Sequence, residues 1–113
     1  MRVEYSALFL VHLERIAAFC ADHETLAVYR NLLDDMDSIV VPNLERFPHI
    51  GKPYLETTME STEALMAVAK LPRNAGHLLR KYVHDDYIVL YILGDDTLHL
   101  VAIRHHKEAS FIP

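Results

Sequence analysis

Apolar positions recur along this chain in two periods. Phe9, Leu13, Ile16 and Cys20 are spaced four, three and four, the stripe of an amphipathic helix. Leu26, Tyr29, Leu33, Met36 and Val40 repeat at three, four, three and four and predict a second helix. Ser6 is placed to cap the first and Asp22 the second, because a short oxygen-bearing side chain accepts from the orphan N–H groups of a first turn. Two such stripes joined by a short polar link predict an antiparallel helical hairpin over about 6–47, its apolar side laid on a sheet. Pro42 is expected to kink or end the second helix. Leu44 and Phe47 then carry the stripe on to Pro48.

The period changes to two at both ends of the chain. Arg2-Val3-Glu4-Tyr5 alternates and predicts a short strand. The stretch 78–107 predicts a meander: Leu78 to Val83, a tight His84-Asp85-Asp86 connection, Tyr87 to Leu93, a Gly94-Asp95-Asp96 turn, then Thr97 to Ile103. Strict alternation puts Arg80 and Tyr82 on one face, and Tyr87 and Tyr91 together. On the last strand it groups Leu98, Leu100, Ala102, Arg104 and His106, with His99, Val101, Ile103 and His105 opposite.

The intervening 48–77 reads as a variable segment. Pro48-His49-Ile50-Gly51-Lys52-Pro53 has turn chemistry. A capping box at Thr57-Thr58-Met59-Glu60, or a cap at Ser61, predicts a short helix through Ala64, Leu65, Val68 and Ala69. There is no internal repeat, and the 113 residues suit a single α+β domain over 1–113.

Charge changes the picture more than composition does. The net charge is −5. Residues 1–47 hold four Lys/Arg against eight Asp/Glu, while 48–113 hold seven against eight and carry six of the eight histidines. Such a field repels polyanions, and proteins that grip RNA are usually basic. One cysteine, Cys20, excludes an internal disulfide and fits a reducing compartment. No apolar run reaches the roughly 20 residues that cross a bilayer. Glu4, Glu14 and Arg15 interrupt any signal-peptide pattern, so a cytoplasmic protein with no membrane association is expected.

The candidate chemistry lies where the last strand ends in Arg104-His105-His106-Lys107. Cleavage of RNA through a 2′-hydroxyl needs a base, an acid and cations for the phosphorane. His106 suits the proton chemistry, and Arg80 and Arg104 the charge. The bland alternative is a solvated sheet margin. Tyr82, Tyr91, His105 and Lys107 complete the set as residues for a partner or target. No metal or other cofactor is expected. The histidines lack an HxxxH pattern, His99 and His105 lie roughly 20 Å apart by strand rise, and neighbouring His105 and His106 should point oppositely. Asp34, Asp35 and Asp37 read as a solvated helix face. Phe111 and Ile112 are either a free end or a docking point.

The order of elements, with Arg80-Lys81-Tyr82, Tyr87 to Tyr91 and Arg104-His105-His106, resembles the RelE/ParE superfamily of bacterial toxins. These belong to type II toxin–antitoxin (plasmid stabilisation) modules. The resemblance implies a β-α-α-β-β-β fold, a small antiparallel sheet packed against a two-helix hairpin. It implies a growth-inhibiting toxin neutralised by a cognate antitoxin, with homo-oligomers compatible. In the ribosome-dependent nucleases of the superfamily an arginine commonly precedes the apolar run of the strand opening the last hairpin. Here that position is Ile88, and the aromatic often found beyond the histidine is Lys107. These departures favour the ParE-like branch, poisons of DNA gyrase. A RelE-type endoribonuclease acting on mRNA at the ribosome is the enzymatic alternative, and a non-toxic interaction protein on the same scaffold is the third.

Overall fold

Five strands line up in the order β1-β5-β4-β3-β2. The computed structural model describes residues 1–55, 58–108 and 111. The strands are β1 (Arg2–Tyr5), β2 (Lys52–Pro53), β3 (Arg80–His84), β4 (Tyr87–Leu93) and β5 (Thr97–His105). Both predicted hairpin connections form, at Asp85-Asp86 and at 94–96. The class is α+β, as expected. The sheet is mixed, however, since β1 runs parallel to β5 while every other pair is antiparallel. Local pattern marks a strand but not its partner, and β1 reaches β5 from the far end of the chain.

Helix α1 (Ala7–Asp22) starts where predicted. Ser6 Oγ accepts from Phe9 N–H at 3.1 Å and donates to the Val101 carbonyl at 2.7 Å, so one hydroxyl caps the helix and ties it to β5. The second helix begins later than Asp22 suggests. Asp22 ends α1, and Thr25 precedes α2 (Leu26–Asp35). Its buried stripe is Leu32, Met36, Val40 and Leu44, with Leu26 exposed. In a straight α-helix four-residue steps drift by roughly 40° each. Here a wider π-helical turn, Met36–Val40, interrupts the helix before α3 (Val41–Arg46) and offsets that drift. Pro42 falls in the first turn of α3, where its missing N–H costs nothing, so the helical path continues instead of ending.

The hairpin covers one face of the sheet. Phe9, Ile16, Cys20, Met36, Val40 and Leu44 pack there with Val89, Tyr91, Leu98, Leu100 and Ile103. The other face is covered too, which the one-sided expectation missed. Helix α4 (Met59–Val68), capped by Thr58, brings Leu65 and Met66 onto Leu90, Ile92, Val101 and Ala102, with Phe111 in the same cluster. A 3-10 turn, Arg73–Leu78, leads into β3, which starts at Arg80. The segment read as turn, 48–53, contributes the short edge strand β2, paired with Arg80 and Lys81. Thr57 and Ile112 lie outside the described residues.

Candidate functional site

The register of β3, β4 and β5 decides which side chains meet. Cross-strand partners share a face. On the helical-hairpin face they form three rows: Arg80–Tyr91–Leu100, Tyr82–Val89–Ile103 and His84–Tyr87–His105. The last two rows reach β5 out of phase with the first, because the ladder passes from Leu90↔Ala102 to Tyr91↔Leu100 and skips Val101. This bulge inserts one residue and inverts the alternation beyond it. Arg104, paired with Ile88, therefore lies on the face opposite Arg80, and His105 joins the face of Tyr82 and Tyr91. His99 and His105 no longer share a face.

Tyr91, Arg80, Tyr82 and Arg104 each have a definite job in this fold. Tyr91 is fully buried. Its hydroxyl donates to the Pro48 carbonyl at 2.8 Å and accepts the Gly51 N–H at 2.9 Å. Arg80 donates through Nη2 to the His49 carbonyl at 2.8 Å, so two neighbouring side chains hold the 48–51 loop against the sheet. The Tyr82 hydroxyl accepts from Asn43 Nδ2 at 3.3 Å, linking β3 to α3. Arg104 Nη1 donates to the carbonyls of His105, His106 and Glu108, at 3.3, 3.3 and 2.5 Å, and its guanidinium lies over the Phe111 ring at 4.7 Å. It folds the chain back after β5. The three residues suited to RNA cleavage are thus not brought together. Arg80 and Arg104 are on opposite faces, and His106 sits in the turn beyond β5.

Histidines the sequence reading passed over are placed more tellingly. His12 is buried on α1. Its Nδ1 accepts the Ile103 N–H at 3.2 Å, which fixes the neutral ring with its proton on Nε2, the atom that donates to the Phe111 carbonyl at 2.5 Å. Burial lowers its pKa; the Phe111 carbonyl and Glu108 oppose this, and Arg15 adds to it. The signal was in plain view, since His12 falls three residues after Phe9 and four before Ile16 on the buried stripe. His84 Nε2 lies 2.8 Å from Asp35 Oδ2 and 3.5 Å from Asp85 Oδ2, joining the end of α2 to the β3–β4 turn. Asp35 therefore is not part of a merely solvated face.

Beyond Tyr87, the other side of the row closes on a second cluster. The His105 ring meets Tyr87 edge-on, with centroids 5.6 Å apart. Burial, followed by Cys20, Asp86 and Glu108, raises the Tyr87 pKa and keeps the phenol neutral. His105 ends the strand, so alternation stops there. The His106 ring lies beside it, with centroids 4.6 Å apart, and the expected opposite orientation does not hold. His106 N–H donates to the Asp86 carbonyl at 2.7 Å. Lys107 is exposed.

A single family model spans the elements described above, from β1 to beyond β5. The family described as ParE toxin of type II toxin-antitoxin system, parDE, matches residues 3–110. The chain belongs to this family. No curated protein matches it. As a ParE-family member it is the toxin component of a type II toxin–antitoxin module, and membership implies a cognate antitoxin as partner. Among the described residues no helix of this ParE-family toxin is long and apolar enough to cross a membrane.

Proposed function

We propose that this toxin stops bacterial growth from the cytoplasm by binding DNA gyrase, and that it cleaves no RNA itself. The observation that carries the reading is the separation of Arg80 from Arg104 by the bulge at Val101. Both guanidiniums are engaged with backbone carbonyls, and a phosphorane held between the two arginines would have to reach through the sheet. The absence of an arginine at Ile88 and the net charge of −5 point the same way.

The antitoxin, in this reading, covers the outer side of the helical hairpin. Leu10, Val11 and Phe19 on α1 and Leu26 and Val28 on α2 are all exposed, and exposed apolar side chains of this kind suit a partner surface.

Inducible expression in a bacterium tests the proposal, with growth, message integrity and plasmid supercoiling followed together. Arrest with intact messages, altered supercoiling and relief by the antitoxin is the expected result. Arrest with cut messages would return the ribosome-dependent nuclease reading. Normal growth with folded protein would mean the scaffold persists as a non-toxic interaction protein.

A further inference from the structure

Among the described residues, two groups bring three His or Asp donor atoms within 4.8 Å of one another: Asp35, His84 and Asp85, and Asp86, His105 and His106. They differ in readiness to take an ion. In the first, one imidazole sits between two carboxylates and its Nε2 is already closed by the 2.8 Å contact to Asp35. The second offers two imidazoles and one carboxylate, a donor set that divalent transition metals favour and hard cations do not.

We propose that Asp86, His105 and His106 form a binding site for a divalent transition-metal ion of the zinc class. Bonds of about 2.0–2.2 Å in a tetrahedral shell place two ligand atoms roughly 3.3–3.6 Å apart. A trio within 4.8 Å of one another therefore closes when its side chains move inward by up to about one ångström each. The backbone already holds the two segments together. His106 N–H bonds to the Asp86 carbonyl at 2.7 Å, and within its own turn the second segment is held by the bond of His105 N–H to Glu108 Oε1 at 3.0 Å.

The ring chemistry agrees. His106 Nδ1 lies 3.2 Å from the Asp86 carbonyl. The same Nδ1 stands 3.7 Å from Asp86 Oδ1, close to the spacing of two ligands on one tetrahedral ion. It is therefore the atom that faces the carboxylate, and on metal binding it gives up its contact with the carbonyl. His105 gives up only the 3.2 Å contact of its Nδ1 with Lys107 N–H, at the surface. Tyr87, packed against the His105 ring, limits its rotation. Of the nearby cations, Arg104 is engaged with carbonyls and Lys107 is exposed. The bound ion would staple the β3–β4 turn to the end of β5. The proposal is independent of whether gyrase is the target.

Titration of the untagged full chain with Co²⁺, followed by its visible d–d absorption and by competition with Zn²⁺, tests the site. The expected result is one ion per chain. His106→Ala and Asp86→Asn should each weaken binding at least about ten-fold, since loss of even an outer partner of a metal ligand costs that much. His106 and Asp86 are both exposed, so these variants fold, and far-UV circular dichroism checks that they do. His84→Ala should leave binding unchanged. The proposal is overturned if binding does not saturate, if His106→Ala binds as wild type does, or if His84→Ala alone abolishes it.

Discussion

The Tyr91 hydroxyl accepts the Gly51 N–H at 2.9 Å, and the same approach leaves position 51 no room for a side chain. A Cβ there would stand 2.6 Å from Tyr91 Oη and 2.9 Å from the Lys81 carbonyl. Gly51→Ala should therefore displace the loop and lower stability by about 1–3 kcal/mol, the usual cost of overpacking. Tyr91→Phe keeps the ring but orphans the Gly51 N–H and the Pro48 carbonyl, at a cost of about 1–3 kcal/mol. Urea unfolding of both variants checks this. Wild-type midpoints in either would refute the account.

His12 makes stability depend on pH with a definite sign. Its pKa in the folded chain is lower than the ordinary 6.5, so the unfolded chain binds the proton more readily. The His12 contribution is fully present above 6.5 and is lost as pH falls through 6.5 toward the folded value. Protonation would also turn Nδ1 into a donor facing the Ile103 N–H. His12→Leu should cost about 1–3 kcal/mol at pH 8, because it leaves that N–H buried without a partner. The gap from wild type should narrow by pH 5. Urea midpoints across this range measure it, and a gap that stays constant would contradict the linkage.

Arg104 separates the structural reading from the catalytic one. Arg104→Ala removes donors to three carbonyls and the contact with Phe111. A loss of about 1.5–3 kcal/mol is expected, as for hydrogen bonds made by a charged group. Arg104→Lys should recover only part of it, since an ammonium can donate to the carbonyls that Nη1 serves but lacks the planar face that lies over Phe111. Thermal melts give the answer. Unchanged stability together with lost message cleavage would favour the nuclease.

Cys20 is 4 % exposed and packs between the hairpin and the sheet. Its thiol should react slowly with an aromatic disulfide reagent in buffer and rapidly in urea. Fast reaction in buffer would mean that the end of α1 opens far more readily than its packing implies.

What the sequence could and could not convey follows the range of each interaction. Ser6, the two hairpin turns and the strand at Tyr87–Leu93 are local signals, and they were legible because capping, turn chemistry and period depend on neighbours within a few residues. The buried stripe of the second helix departs from the apolar spacing, because a π-helical turn shifts the face without changing which residues are apolar. The rings of His105 and His106 lie side by side, against the expected opposite orientation, for a similar reason. Alternation was extended one residue beyond the strand's end.

By itself, then, the sequence determined the class, the helical hairpin, the meander and the family that spans 3–110, all written in local periodicity and order. Only the tertiary structure decided that β1 runs parallel to β5, that α4 covers the second face, and that one bulged residue, Val101, sends Arg80 and Arg104 to opposite sides. A bulge depends on how two strands settle against their covering layers, and a single inserted residue reverses every side chain after it. Residues equally polar in sequence thereby become a loop anchor, a turn clamp and a cluster of donors.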